Sequence, residues 1–375
     1  MATYYLNLNL TTGSNDGSSE ADAWQSFGDV SGLAAGDKVW VKSTTRADVS
    51  RVTVDFDGDF TDTITWEGYS STTGDGGMAL INIAGGNTDL LSIAGEYNVV
   101  KYFDVTTDGL LRNASITGDG SWAYRCSIVT SGDHGVCNAC ECYFEQLNNS
   151  KTATFVTGPF SSVRLIRCKI KLASSGTGNG IKVDVYGGWI SVLDCLFDLG
   201  GTSGSAIFIN RVPNSNGRFV ISGNIFYNCG DGIYLDDGLT NADQEAILID
   251  RNIFENISSY CIEHDTTTDG SNHALISLTN NYYYNVTTGF TSLSNAVSLG
   301  NQALSGSPFT DASNGDFSIN DTASAGAVLR AAGVPIQEPF DWANLDYEAT
   351  FEGSAGGSGG AIVLPASVGI GIRES

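Results

Sequence analysis

Positive charge is scarce in this sequence. Its 18 Lys and Arg stand against 42 Asp and Glu, a formal charge of −24 at pH 7. Such a chain repels phosphate backbones and anionic lipid surfaces, so nucleic acid and membrane are not expected partners. No stretch reaches the roughly 20 apolar residues of a membrane-spanning helix. The opening Met1-Ala2-Thr3-Tyr4-Tyr5-Leu6 has no cationic stretch ahead of an apolar core, so a secretory leader is not expected either. Charged residues make up 16% of the chain, a poor composition for a helix bundle. No phosphate-binding loop or dinucleotide fingerprint occurs. What the chain does have is glycine: 46 residues, about 12% against an average near 7%. With hydrophobic residues at 41%, this implies many short strands and tight turns and excludes disorder. A chain of 375 residues exceeds what one compact core usually supports; a solenoid escapes that limit.

A repeat runs through the middle of the chain. Segments such as WAYRCSIVT, VRLIRCKIKL, ISVLDCLFDL, VISGNIFYN and LIDRNIFEN align on Phe103, Cys126, Cys142, Cys168, Cys195, Asn224, Asn252 and Asn281, spaced 23, 16, 26, 27, 29, 28 and 29 residues apart. A second column has a small residue, usually Gly, before an apolar one at Leu110, Val136, Ile181, Ile207, Ile233, Ile262 and Phe290, with Phe155 filling the long gap. Two columns with a common period predict an all-β, single-stranded right-handed parallel β-helix, a solenoid whose coils stack at roughly 4.8 Å. The first column then reads as an inward ladder of reduced cysteines giving way to asparagines that hydrogen-bond from coil to coil. Residues 1–45 are expected to form an N-terminal cap with a strand and a short helix near 23–30, because an open end invites aggregation. Residues 46–300 form the coils, 301–350 an exit segment with a helix near 323–332, and 351–375 a C-terminal extension. In that extension a Gly-rich linker at 352–361 leads to an apolar strand expected to contact a neighbouring subunit.

The opening TYYLNLNLTTGSNDGSSEADAWQSF with AGDKVWVK, and the exit piece SPFTDASNGDFSI, resemble the corresponding parts of pectate-lyase-like right-handed β-helix proteins. Within that superfamily the missing leader, the Gly-rich linker and the terminal apolar strand resemble structural proteins of tailed bacteriophages: tail spikes, tail fibres and head-decorating fibres. The resemblance implies a virion component made in the host cytoplasm, a homo-oligomer with a trimer favoured, joined to other virion proteins through its C-terminal strand and touching host-surface polysaccharide. A secreted or cell-surface bacterial protein is the alternative location. The alternative function is a polysaccharide lyase or glycoside hydrolase on the same scaffold.

Candidate chemistry gathers three residues after the second column, where Asp184, Asn210, Asp236 and Asp265 fall on one expected stack with Asp237 and Glu263 alongside. Glycosidic cleavage needs two carboxyl groups at a set separation, and Asp236, Asp237 and Asp265 are the candidate catalytic acids. The competing reading is that they are the turn-forming Asp and Asn that strand ends need. Asp236-Asp237 is similar to the Asp-Asp pair of β-helix polygalacturonases, whose Gly-His-Gly and Arg-Ile-Lys this chain lacks. Lys182 and Arg211 are the candidate base and anchor for a lyase. Glu263-His264-Asp265 offers a His flanked by acids. His134, Cys137, Cys140 and Cys142 have a zinc-like spacing, but residues 140 and 142 alternate with 137 on a strand, which favours core packing. No cofactor is expected, apart from a calcium ion that the acidic coil corners could hold. For binding without chemistry, Phe208 and Tyr234 occupy outward positions on adjacent coils and Trp189 precedes the next strand, a candidate glycan platform.

Overall fold

The protein is described by a computed structural model that covers residues 1–333 except 50–51, 85–89, 108–112, 117–119, 131–134, 137, 148–153, 159–162, 173–175, 186–188, 202, 212–217, 237–245, 265–274 and 291–295. The chain divides into Met1–Trp342 and Ala343–Ser375. The linker and terminal strand expected at 351–375 therefore lie outside the described residues, as do Leu110, Asp237 and Asp265.

The first unit is a right-handed parallel β-helix with three faces. The first face is one parallel ladder of twelve strands from Thr3–Asn7 to Val297–Leu299. The second runs from Ala47–Val49 through Ser127–Thr130, Lys169–Leu172 and Ile225–Cys229. The third runs from Val52–Val54 through Ile181–Val185, Ser205–Arg211 and Asp231–Asp236. In the late coils the second and third faces join without a break, in the 12-residue strand Ile253–His264 and then in Tyr282–Phe290.

Alternation along each strand turns one side chain in two toward the axis, and stacking brings equivalent residues together. On the first face Trp66, Val100, Ala123, Ala139, Leu165, Val192, Ile221, Ile249 and Leu278 share one buried inward column. On the second, Phe197, Phe226 and Phe254 stack with ring centroids 5.1 and 4.8 Å apart, the coil repeat itself. On the third, Ile181, Ile207, Ile233, Ile262 and Phe290 are in register. Of the other expected members, Leu110 lies outside the described residues, and Val136 falls two positions further along, its neighbour Gly135 pairing with Phe155. Ile181 pairs with Thr154, so Phe155 stands opposite Lys182, one position out of the column. The in-register step from Thr154 to Ile181 is 27 residues, one more than the 26 from Ile181 to Ile207 and from Ile207 to Ile233.

The corner between the first and second faces explains the Cys/Asn column. There the chain turns through a left-handed residue in each coil: Tyr102, Arg125, Glu141, Arg167, Asp194, Gly223, Arg251, Asn280 and Gly300 all have positive φ. The residue that follows points inward, and Phe103, Cys126, Cys142, Cys168, Cys195, Asn224, Asn252 and Asn281 are all buried. The ladder bonds run upward from coil to coil. The Cys168 N–H donates to Cys195 Sγ (3.4 Å), the Cys195 N–H to Asn224 Oδ1 (2.9 Å), and the Asn224 N–H to Asn252 Oδ1 (3.0 Å). Asn281 donates in turn to Asn301 Oδ1, a final rung the spacing did not announce because it follows by only 20 residues. Each amide also reaches a first-face carbonyl, as Asn252 Nδ2 does with Ile221 O at 2.9 Å. At the next corner Asn228, Asn256 and Asn285 form a second left-handed column, using the residue type that tolerates that region best after glycine. None of the seven described cysteines is in a disulfide.

Charge alternates along the left-handed column. Glu141 is nearly buried between Arg125 Nε and Arg167 Nη2, each 2.7 Å away. Gly223 interrupts the column because a Cβ there would sit 2.2 Å from Asp194 Oδ1.

The N-terminal end is closed by aromatic packing. Trp24 stacks on Tyr4 at 5.1 Å, and Phe27 lies against Trp66 and Phe103. The expected helix near 23–30 is a single 3-10 turn, Phe27–Asp29, with the Asp29 carboxylate accepting from the Ser26 N–H and hydroxyl. The exit segment contains a hairpin, Phe309–Asp311 with Asp316–Ile319, and the helix Gly326–Ala331. Its Leu304, Phe309, Phe317 and Leu329 pack over Leu196, Tyr227, Ile253 and Tyr282, which face outward on the second face. The late second face is thereby covered.

Candidate active site

The third face presents an outward column. It holds Lys182, Phe208, Tyr234 and Glu263 in register; two residues further along each strand, Asp184, Asn210 and Asp236 are paired in backbone register. Both arise from alternation after the inward isoleucines, so the expected stack of Asp184, Asn210 and Asp236 is present in the backbone register. Asp236 is half-buried. Asp237 and Asp265, the other two candidate acids, belong to residues outside the description. His264 follows Ile209 and Leu235 in the inward column yet is half-buried rather than sealed.

Phe208 and Tyr234 form a parallel pair with centroids 5.1 Å apart and planes 4° apart. Two rings this nearly parallel and stacked turn one face toward each other, so their outward surface is largely ring edge. Trp189 is placed differently. It opens the first-face strand Trp189–Leu193, is 39% exposed, and carries the Arg218 guanidinium 5.1 Å over its ring. The pair and Trp189 thus lie on different faces.

The second face ahead of the exit segment carries a polar cluster that was not marked from the sequence. Tyr143 Oη donates to Glu145 Oε2 at 2.7 Å, and Lys171 Nζ lies 3.0 Å from Glu145 Oε1. Lys169 sits between Tyr143 and Leu196 in the adjoining column. Burial pulls the Lys169 ammonium below the usual lysine range against the opposing pull of Asp198. Burial and the bond to Glu145 push the Tyr143 phenol up. The signal in the sequence was the alternation Tyr143-x-Glu145 and Lys169-x-Lys171 directly after two ladder cysteines. Among the described residues no three His, Cys, Asp or Glu side chains converge as a metal site; His134 and Cys137 of the zinc-like spacing lie outside them.

No family model and no curated protein matches the chain. Solved structures do. Pectate lyase Pel9A aligns over 83% of both chains with a TM-score of 0.55 at 14% identity. The fold is that of the pectate-lyase-like β-helix. A rhamnogalacturonan lyase aligns over 80% of this chain and 84% of its own with a TM-score of 0.41 at 12% identity. A mannuronic acid specific polysaccharide family 6 lyase from human gut microbiota covers 81% and 86% with a TM-score of 0.32 at 12% identity. At these identities the likeness concerns the scaffold, and residue roles have to be argued from this chain's own side chains.

Proposed function

We propose that this pectate-lyase-like β-helix engages a polysaccharide along its third face and cleaves it as a lyase or glycoside hydrolase. The observation that carries this reading is the outward aromatic pair Phe208 and Tyr234, two positions before the backbone register of Asp184, Asn210 and Asp236. Ring edges carry the positive end of the aromatic quadrupole and suit sugar oxygens, while the half-buried Asp236 carboxylate can accept hydrogen bonds from hydroxyls. Asp184 and Asp236 are two coil steps apart with Asn210 between them, about 9.6 Å at the backbone. That backbone spacing is just above the roughly 6.5–9.5 Å that inverting hydrolysis requires between the two carboxyl groups. Asp237 and Asp265 would supply further acids, and a calcium ion in this column would need them as ligands.

The test is incubation with a panel of acidic and neutral glycans. Products are read for new reducing ends and for the ultraviolet absorbance of an unsaturated sugar, which separates hydrolysis from elimination. Asp236→Asn is expected to abolish cleavage; activity that survives it refutes this placement of the site.

A second reading, a spike or fibre of a tailed bacteriophage virion, rests on the sequence resemblance and on the Gly-rich linker and apolar segment at 352–372. It expects a homo-oligomer, a trimer first, that loses its assembly and keeps its circular dichroism when residues 352–375 are removed. A monomer before truncation, read by light scattering, refutes it.

A further inference from the structure

The two ends of the solenoid are finished differently. At the N-terminal end Trp24 pairs with the edge strand Thr3–Asn7, its N–H donating to Tyr5 O and its carbonyl accepting from the Asn7 N–H. At the C-terminal end the last first-face strand, Val297–Leu299, has a paired strand on one side only among the described residues. Val297 and Leu299 are 55% and 70% exposed, and Ser298, in register with the buried Leu278, is exposed as well. Of the strand Tyr282–Phe290, only Tyr282 and Tyr283 are followed by a further strand, Gln302–Ala303. Beyond them Val286, Phe290 and Ala296 lie partly buried on the end of the core. The asparagine ladder stops here too: among the described residues the Asn301 N–H, the donor for a next rung, has no acceptor. The exit segment does not close this end, since its apolar side chains pack over the second face.

Charge indicates which partner fits. Residues 274–310 carry no Asp, Glu, Lys, Arg or His, although 16% of the chain is charged and its net charge is −24. Free sheet edges are normally guarded by charge or proline, and residues 284–303 contain neither. Two copies that repel each other over the rest of their surface can meet only where both are neutral. Residues 334–350 suit this end less well, because they carry Glu338, Asp341, Asp346 and Glu348 and no basic side chain. We propose that this end binds a second copy of the chain, C-terminal end to C-terminal end, about a two-fold axis. The edge strand Val297–Leu299 pairs antiparallel with the same strand of the second copy, which sets Val297 of one chain beside Leu299 of the other. The sealed N-terminal end offers no edge for continued stacking, so the assembly closes as a dimer. This contact is separate from the third face and from a trimer formed through residues 352–375.

Sedimentation velocity of the full chain over a concentration series is expected to show a monomer–dimer equilibrium. Added salt should strengthen it, because screening relieves the repulsion between two acidic chains. The double variant Val297→Lys, Leu299→Lys sets like charges beside each other across the two-fold axis. It is expected to weaken dimerisation about a hundredfold or more, with the melting temperature of dilute protein unchanged. Asp236→Asn should leave the dimer intact, so failure here is distinguishable from failure of the third-face reading. Amide exchange in 284–290 and 297–299 should slow as concentration rises. A chain that stays monomeric, a trimer, a dimer that weakens with salt, or one that survives the double lysine variant overturns the proposal. So does a double variant that melts earlier when dilute, or exchange that is slow at every concentration, since either means that the end is covered from within the chain.

Discussion

Replacing Asn252 by Ala tests the corner ladder where it is densest. Asn252 Oδ1 accepts from the Asn224 N–H at 3.0 Å and from Asn224 Nδ2 at 2.9 Å, while its own Nδ2 donates to Asn281 Oδ1 at 3.0 Å and to Ile221 O at 2.9 Å. Alanine removes all four bonds. Asn224 Nδ2 keeps Val192 O, and Asn281 Oδ1 keeps the backbone N–H of residue 252, but the buried Asn224 N–H is left with no acceptor. One orphaned donor at about 1–3 kcal/mol and three lost bonds at about 1 kcal/mol each give a loss of roughly 4–6 kcal/mol. Asn252→Cys should lose about half of that, because a thiol in this column accepts a backbone N–H and donates to a carbonyl, as Cys195 does with Leu193 O at 3.3 Å. Urea denaturation followed by circular dichroism measures both. An Ala variant within about 0.5 kcal/mol of the parent, or a Cys variant no better than Ala, refutes the ladder as a source of stability.

Three further outcomes follow from named groups. Glu141→Ala leaves Arg125 and Arg167 facing each other at a corner where Arg125 is nearly buried, and is expected to cost about 3 kcal/mol or more in the same denaturation assay. Burial pushes the Glu255 carboxyl above the usual glutamate range, and its bond from Ser307 Oγ at 2.9 Å offsets this only in part. The folded protein therefore holds this proton to higher pH than the unfolded chain does; the resulting stability is complete below the ordinary glutamate range and is lost as pH rises through the folded value. Melting temperatures of Glu255→Gln minus parent should grow from about pH 4 to about pH 8, and a flat difference contradicts the assignment. The six buried thiols among the described cysteines should resist maleimide in the native state, and burial pushes half-buried Cys140 up to about 12 as well. All eight should react in denaturant without reductant.

The inward columns were legible because each repeats one residue type at one structural position. Cys168, Cys195, Asn224 and Asn252 follow a left-handed corner in every coil, and Ile181, Ile207 and Ile233 start third-face strands, so period and chemistry coincide. Phe155 was misregistered because loops of unequal length separate strands whose pairing is fixed by the neighbouring coil rather than by spacing. The exit segment's reach over Tyr227 and Glu255 was hidden for a related reason: those outward residues look like solvent-facing strand positions until a distant segment covers them. Phe208 and Tyr234 were found as outward neighbours by parity alone, yet parity cannot show that two rings turn a face to each other. Lys169 went unmarked since lysine on an outward position is ordinary.

Hydrogen exchange with and without a glycan that the panel shows to bind tests the third face most directly. Protection is expected in the strands 205–211 and 231–236 and should vanish in the Phe208→Ala, Tyr234→Ala double variant, while the first face stays unchanged. Protection confined to the first face, or undiminished in the double variant, contradicts a polysaccharide site on the third face.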